Sequence, residues 1–301
     1  MLMKALIGTA FGKTPAKLLV FASIAITTQA YGGQPMRESS FEQETSESQR
    51  PIEAMQDNSF FIEEAYNQEP GVVQHVFTAF GSVNKLRGKD ERILDLSFSQ
   101  EWPIFSQTHQ FSYTIPYLFV DAGSETENGV GDIELNYRLQ LFTETENRPA
   151  VAPSLSVLLP TGDAENDLGN ETVGFAFNLP VSKIVSDRWA IHGNAGFTIL
   201  PDVQNRDLTA YNLGASAIYA VSPTFNVLLE AVAEWEEEVG EAGEKDRSLS
   251  AILSPGFRYA VNFSNDSQLV VGLAAPIGLT GDAPDYGVFV YFSFEHSFLR
   301  R

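Results

Sequence analysis

Residues 132–141 read Asp132-Ile-Glu-Leu-Asn-Tyr-Arg-Leu-Gln-Leu141, with polar and apolar side chains in strict alternation. The apolar side chains, Ile133 to Leu141, fall on one face, and the polar side chains, Asp132 to Gln140, fall on the other. A period of two over such a stretch predicts a β-strand with one apolar and one polar face. The stretch is also about as long as a tilted strand must be to cross a membrane.

The same alternation, weaker in places, recurs from residue 72 onward. It predicts strands near 72–80, 92–102, 110–118, 131–142, 150–159, 172–182, 188–199, 208–220, 225–235, 248–259, 268–278 and 288–298. Long segments, mostly acidic or rich in glycine, lie near 119–130, 160–171, 200–207, 236–247 and 279–287, and they alternate with generally shorter ones near 103–109, 143–147, 183–187, 221–224 and 260–267. Outer-membrane barrels have this asymmetry of outer loops and periplasmic turns. We therefore predict an all-β fold, a closed antiparallel transmembrane β-barrel of about twelve strands.

Tyrosine and tryptophan provide an independent check on this topology. Outer-membrane barrels carry aromatic side chains at both membrane interfaces, because indole and phenol groups favour a site with one wet end. We interpret two sets of strand-end residues as an interface aromatic girdle. The periplasmic set is Trp102, Trp189, Tyr219 and Tyr259, and the outer set is Tyr117, Tyr211 and Trp235.

Three prolines, Pro153, Pro255 and Pro276, lie inside predicted strands. Proline removes a hydrogen bond from the strand ladder, and a closed barrel has no free edge strand to accommodate it. We therefore expect each proline at a bulge, near a rim, or at a strand boundary that differs from the prediction by a few residues.

Residues 1–30 have the order of a cleaved signal peptide. Lys4, Lys13 and Lys17 precede the apolar stretch Leu18–Ile26, and Thr28-Gln29-Ala30 follows as a cleavage site with small residues. The apolar stretch is too short to span a bilayer, so the alternative is a short N-terminal anchor. The order predicts export to the outer membrane of a Gram-negative bacterium.

Residues 31–70 form a polar lead before the barrel of residues 71–301. Residues 38–48 are acidic and poor in core-forming side chains, which predicts disorder. Residues 58–66 have the composition of a short amphipathic helix. Such a helix could plug the lumen, cap the periplasmic end or lie against a rim, and the sequence leaves all three open.

The composition excludes several functions. The chain has 301 residues, 19 Lys and Arg against 39 Asp and Glu, four histidines and no cysteine. A net charge of −20 argues against nucleic acid as a partner, because phosphate binding needs clustered cations. A mean hydropathy of −0.09 excludes a helical membrane bundle. No cofactor or metal site is predicted, since thiolates are absent and the acidic loops lack the spacing of a calcium loop.

Three motifs carry a family resemblance: Gly131-Asp-Ile-Glu-Leu-Asn-Tyr-Arg138, Pro153-Ser-Leu-Ser-Val-Leu-Leu-Pro-Thr-Gly-Asp163 and Val288-Phe-Val-Tyr-Phe-Ser-Phe-Glu-His-Ser-Phe298. Over roughly residues 70–301 the chain resembles the bacterial outer-membrane transporter family named for the MetA pathway of phenol degradation. The resemblance implies a β-barrel channel with hydrophobic or aromatic small molecules as suspected substrates, and it implies no catalytic residues. Such a barrel is expected to contact outer-membrane lipid and lipopolysaccharide, and the barrel-assembly machinery during biogenesis.

If the apolar faces meet lipid, the polar faces line the lumen. Carboxylates outnumber arginines on these faces, which favours cations over anions. The same groups could instead pair across strands and fill the barrel, because about twelve strands fall between filled and water-filled barrels. We predict that the residues that line the lumen and set its selectivity are Asp132, Glu134, Asn136, Arg138, Gln140, His192, Asn226, Glu230, Glu234 and Arg258.

Two rival functions are an enzymatic barrel of the lipid hydrolase or protease type, and a closed structural or receptor barrel. The enzyme would need a histidine within reach of a nucleophile or a carboxylate. His192 is the histidine that the pattern places mid-strand on the polar face, and no Gly-x-Ser-x-Gly element occurs. We therefore predict a passive, non-enzymatic channel for small molecules.

Overall fold

The computed structural model describes residues 59–86, 89–123, 125–166, 168–240, 243–264 and 267–298. The predicted signal peptide and the acidic stretch at 38–48 lie outside the described residues. Within these ranges, no helix is long and apolar enough to cross a membrane.

The alternating stretches fold as sixteen β-segments of one sheet. Four pairs of segments (β4 with β5, β6 with β7, β8 with β9, and β14 with β15) are each one strand with a break, so the sheet has twelve strands. The segments are β1 (Val72–Leu86), β2 (Lys89–Ile104), β3 (Ser106–Asp121), β4 (Thr126–Val130), β5 (Ile133–Leu139), β6 (Ala150–Val151), β7 (Ser154–Leu159), β8 (Gly174–Asn178), β9 (Val181–Ser186), β10 (Trp189–Val203), β11 (Arg206–Ser222), β12 (Phe225–Val239), β13 (Lys245–Asn262), β14 (Gln268–Ala274), β15 (Ile277–Gly278) and β16 (Tyr286–Ser297).

The sheet closes on itself. Each strand pairs antiparallel with its neighbours in the chain, and β1 pairs with β16 from Val72 opposite Ser297 to Val83 opposite Tyr286. The prediction of a closed, twelve-stranded antiparallel barrel is therefore confirmed. The start of β1 and the end of β16 lie at the same end of the barrel, called here the terminal end, and the opposite end is called the loop end.

Side-chain burial follows the two-residue period. In β5 the side chains of Glu134, Asn136 and Arg138 are buried in the barrel, whereas Tyr137 between them is exposed. Outward side chains such as Leu213 are large, apolar and about half exposed. An apolar outer surface around a polar interior is typical of a transmembrane barrel.

The residues of the predicted aromatic girdle all lie on the outward face, in two groups near the two ends of the barrel. Trp189 lies opposite Tyr219 near the terminal end, with ring centroids 4.9 Å apart. Tyr211 lies opposite Trp235 towards the loop end. Their role at a membrane interface stays a prediction. The two groups are Trp102, Trp189, Tyr219 and Tyr259, and Tyr117, Tyr211 and Trp235.

The predicted contrast between long loops and short turns is wrong for several connections. Most of 200–207 and 236–247 is strand, since β10 and β11 pair as far as Val203 opposite Arg206, and β12 and β13 as far as Val239 opposite Lys245. Likewise, β4 lies inside segment 119–130. The alternation fades before the strands end, because both faces of a hairpin that projects from lipid meet water. The connection at 160–173 is long as predicted and contains a short 3-10 helix at Ala164–Asn166.

Each of the three prolines lies at or opposite a break in a strand. Pro153 falls between β6 and β7, and Pro276 falls between β14 and β15. Pro255 lies within β13, at the point where the neighbouring strand changes from β15 to β14. The missing N–H group of Pro255 therefore faces the gap between these two segments, as the strand-ladder argument requires.

Residues 59–71 precede β1 and run inside the barrel. The amphipathic helix predicted for 58–66 is wrong over the described residues 59–66, which contain no helix. A helix would satisfy these N–H groups with carbonyls four residues back in the chain. Here side chains of the barrel wall take that place.

Candidate functional site

The candidate site is the lumen. All of the predicted lumen-lining residues lie on inward faces and are buried, with at most 8 % of their surface exposed. They are Asp132, Glu134, Asn136, Arg138 and Gln140 on and beside β5, His192 on β10, Asn226, Glu230 and Glu234 on β12, and Arg258 on β13.

Residues 59–71, called here the plug, fill the lumen from its middle to its terminal end. Phe60 and Ile62 are almost fully buried, and so is Ala65. The described end of the polar lead, from residue 59 onward, therefore lies inside the lumen. It neither caps the barrel nor lies on its rim.

Side chains of the wall hold the plug backbone. Buried N–H groups must find acceptors, and no strand of the barrel supplies them here. The acceptors are Glu230 Oε1 for the N–H groups of Phe61 and Ile62 (3.0 and 3.2 Å), Asn194 Oδ1 for Glu63 (2.7 Å), Ser182 Oγ for Ala65 (2.8 Å), Gln140 Oε1 for Asn67 (3.2 Å) and Gln110 Oε1 for Gln68 (2.7 Å). Side chains of the wall therefore hold the plug backbone, except at its end, where the Gly71 carbonyl accepts from the Phe298 N–H (2.8 Å).

Arg138 is the wall side chain with the most hydrogen bonds to the described plug. Its side chain is 2 % exposed, so its charge needs partners within the barrel. Its guanidinium donates to four groups of the plug and approaches one wall carboxylate. These partners are Asn67 Oδ1 (2.8 Å), the Glu63 carboxylate (3.1 Å), the carbonyl oxygens of Glu64 (3.1 Å) and Tyr66 (2.8 Å), and Glu101 Oε2 (3.7 Å).

An apolar cluster on the lumen wall receives the N-terminal part of the plug. The Phe60 ring lies 5.3 Å from the rings of both Phe289 and Tyr291, centroid to centroid. The Phe61 ring packs on Phe289 at 4.8 Å and edge-on against Phe80 at 5.7 Å. The plug is therefore amphipathic along its length, with apolar contacts first and polar contacts after them.

Glycines make room for these apolar side chains. A Cβ on Gly214 would lie 2.3 Å from Ile62 Cδ1, and one on Gly272 would lie 2.4 Å from Phe60 Cζ. The predicted lumen-lining residues did not include these glycines, nor Asn194, Ser182 and Gln110. A detectable signal was present, because Asn194 follows His192 by two residues and thus shares its inward face. The strand pattern gives the face of each residue but does not indicate that all of them contact the plug.

His192 is tied into the same network. Its Nδ1 lies 2.8 Å from Ser182 Oγ, and its Nε2 lies 3.6 Å from the Glu64 carboxylate of the plug. Ser182 Oγ is itself the acceptor of the Ala65 N–H group and is buried beneath the plug. The histidine is thus a hydrogen-bonded lumen residue, and Arg258 approaches the same Glu64 carboxylate at 3.9 Å.

The turn between β5 and β6 fastens the plug at the terminal end. The Tyr66 hydroxyl donates to Glu144, whose carboxylate also accepts from Lys183 Nζ at 2.8 Å. Burial raises the pKa of Tyr66, and the hydrogen bond to Glu144 raises it further. The phenol therefore stays protonated and remains a donor.

Asp132 has a role other than lining an open pore. Its two carboxylate oxygens accept from the Gly162 N–H (2.9 Å) and from the backbone and side-chain amides of Asn170 (2.8 and 2.9 Å). The residue thereby anchors the loop at 160–173 over the loop end. Leu168 of this loop packs against Leu118 and Leu200 of the wall.

Glu234 differs from Glu230 although both lie on the inward face of β12. Glu234 makes no hydrogen bond to the described plug, whereas Glu230 holds two N–H groups of the plug. Glu236 follows on the same face. This part of the lumen wall is rich in carboxylate and makes no hydrogen bond to the described plug.

A cavity of about 90 Å³ remains beside the plug, lined by Glu134, Asn136, Asn178 and Asn212 among others. Sites for drug-sized molecules occupy about 300–1,000 Å³. With the plug in place, the cavity holds only a few water molecules. The cavity beside the plug is thus smaller than a site for a drug-sized molecule.

The sequence matches the family described as "Putative MetA-pathway of phenol degradation" over residues 79–295. The chain belongs to this family. The matched range covers almost the whole barrel of this chain, and it excludes the plug. No curated protein matches the sequence.

A solved structure shares the fold of this chain. The structure is similar to that of the COG4313 outer membrane channel from Pseudomonas putida F1, with a TM-score of 0.61 and 15 % identity, over 78 % of this chain and 98 % of that one. The NanC porin matches with a TM-score of 0.45 and 9 % identity, over 76 % of this chain and 100 % of that one. At 15 % identity the likeness to the COG4313 channel concerns the barrel fold.

Proposed function

We propose that the chain is an outer-membrane channel for passive passage of small molecules, and that the plug closes it. The observation that carries this proposal is the way the plug is held. Its backbone is bonded to side chains of the wall and belongs to no strand, so the plug can leave without breaking the barrel ladder.

The outer surface supports a place in the outer membrane. Apolar side chains cover it, and two groups of outward aromatic residues lie near its two ends. Such a surface fits outer-membrane lipid and lipopolysaccharide as partners, and the barrel-assembly machinery during biogenesis. The solved relative of similar fold is described as an outer membrane channel.

The substrates that we propose are hydrophobic or aromatic small molecules. The family's description refers to phenol degradation, and an apolar cluster on the lumen wall includes the aromatic residues Phe80, Phe289 and Tyr291. No described group of three or more histidine or acidic residues is placed to hold a metal ion. A channel of this kind needs no catalytic residue.

A reversible cross-link tests this function. Ser59 Oγ of the plug lies 3.0 Å from Ser216 Oγ of the wall, and the chain has no cysteine of its own. The double variant Ser59→Cys, Ser216→Cys can therefore form one disulfide that ties the plug to the wall. We expect reconstituted double variant to be silent in planar bilayers when oxidised, and to open after reduction as often as the unmodified protein.

The single variants Ser59→Cys and Ser216→Cys serve as controls, and reduction leaves their conductance unchanged. A double variant that conducts equally before and after reduction, or in neither state, contradicts the proposal. In the first case the plug does not gate the pore, and in the second the barrel is not a channel.

A second expected result concerns selectivity. We propose that Glu234, which makes no described contact to the plug, sets the cation preference of the open pore. Glu234→Gln should then shift the reversal potential in a salt gradient towards that of a non-selective pore. Glu230→Ala should instead raise the open fraction, because it removes the acceptor for two plug N–H groups. Equal reversal potentials for Glu234→Gln and the unmodified protein would remove Glu234 from the conducting path.

A further inference from the structure

The Phe60 ring of the plug lies on a part of the wall without side chains. Gly272 of β14 and Gly256 of the adjacent β13 form this floor, and their Cβ atoms would lie 2.4 and 3.0 Å from atoms of the ring. Phe289 and Tyr291 of β16 border the ring, each with its centroid 5.3 Å away. These four residues are called here the aromatic cradle.

We propose that the aromatic cradle is the binding site for a planar apolar ring of the transported molecule, and that Phe60 occupies it in the closed channel. The proposal rests on the proposed function, which it deepens by naming the site and the competitor. Cargo and plug then compete for one place, and entry of cargo displaces Phe60.

The shape of the cradle points to a flat ring. Protein interiors usually interdigitate side chains from both surfaces, whereas here one surface is bare backbone with aromatic rings at its edge. Tilted and offset rings at about 5 Å make favourable aromatic pairs, and any planar ring of similar size can make them. Gly214 makes similar room for Ile62, but that side chain is aliphatic, and the Phe60 contact is the one in which a ring lies on glycine with two aromatic rings beside it.

A polar group beside the cradle narrows the class of ligand. Thr78 of β1 lies directly opposite Tyr291 in the strand ladder. Its Oγ1 is buried and has no hydrogen-bond partner among the described residues, and such a group is costly to leave unsatisfied. This group offers a hydrogen bond to a ligand with a single aromatic ring and one hydroxyl substituent.

Single-channel recordings with 4-methylphenol test the proposal on the full-length chain. In the unmodified protein, 4-methylphenol should raise the open fraction, because it displaces Phe60. In Phe60→Ser the cradle is vacant, so the channel should open without the probe. The probe should then block the current partially, at a concentration at least about tenfold lower than the one that opens the unmodified channel.

Filling the floor should abolish this response. Gly272→Leu puts a side chain where the ring lies, so the channel should conduct but ignore 4-methylphenol. Gly193→Leu is the matched control, because a Cβ there points outward and meets only Gly214 O at 3.7 Å. This control should respond as the unmodified protein does. Gly272→Ala, with a smaller intrusion, serves if the leucine variant does not assemble.

The outcomes separate the two ideas. If the Gly272 variant conducts and responds to 4-methylphenol as the unmodified protein does, the aromatic cradle is not the binding site. The proposed channel function is then unaffected. A probe without effect on the unmodified protein and on Phe60→Ser leads to the same conclusion. If the unmodified protein, Phe60→Ser and Gly272→Leu all fail to conduct, the proposed channel function is contradicted. The proposed role of the aromatic cradle is then contradicted as well.

Discussion

Replacing Arg138 with alanine should convert a channel that is mostly closed into one that is mostly open. The substitution removes the hydrogen bonds that the guanidinium donates to Asn67 Oδ1 and to the carbonyl oxygens of Glu64 and Tyr66. It also leaves the carboxylates of Glu63 and Glu101 without their buried cation. Breaking a buried ion pair by removing one partner costs about 3–5 kcal/mol.

A loss of this size changes the ratio of docked to released plug by at least about a hundredfold. The measurement is the open fraction and conductance of single channels in planar bilayers. Arg188→Ala removes an arginine from the exposed turn between β9 and β10 and should leave both quantities unchanged. Arg138→Lys should fall between the two, because an ammonium keeps the charge but cannot bond to so many acceptors at once. An alanine variant as quiet as the unmodified protein would show that Arg138 does not hold the plug.

Replacing Asp132 with alanine should release the loop at 160–173 from the loop end. Asp132 is fully buried and accepts three hydrogen bonds from this loop. Hydrogen bonds to a charged group contribute about 1.5–3 kcal/mol each, and the donors at Gly162 and Asn170 would be left without their acceptor. The apolar contact of Leu168 would remain, so the loop should become accessible without unfolding of the barrel.

Limited proteolysis of the purified protein measures this release, with cleavage in 160–173 at least about tenfold faster in the variant. Asp132→Asn keeps one acceptor oxygen and should give a smaller increase. Asp187→Ala changes an exposed residue of the turn between β9 and β10 and should have no effect. Cleavage at the unmodified rate in Asp132→Ala would mean that packing of Leu168, and not the carboxylate, anchors the loop.

The sequence was most informative about which way each side chain points. Alternation along 132–141 and 225–235 predicted the inward faces of β5 and β12, and Arg138 and Glu230 lie where the pattern puts them. This works because the direction of a side chain in a strand depends on the parity of its position, which is a local property. The positions of the three prolines at strand breaks were predicted equally well, since a residue without an N–H group always removes a hydrogen bond from the strand ladder.

The pattern was less reliable at strand ends and in the lead. Hairpins such as β12–β13 continue beyond the last apolar residue, because backbone pairing does not require an apolar face once both faces meet water. The composition of 58–66 predicts a helix only if the segment satisfies its own N–H groups. The structure shows those groups bonded to residues of β9, β10 and β12, more than 100 positions away in the chain.

By itself, the sequence determined a closed barrel of twelve strands, its apolar and polar faces, and the residues that line its interior. Only the tertiary structure decided what those residues do. Glu230 and Glu234 are equivalent in the pattern, yet the first holds the plug and the second makes no bond to it. The physical reason is that parity specifies the face of a residue, whereas its partner depends on a segment far away in the chain that shares the lumen.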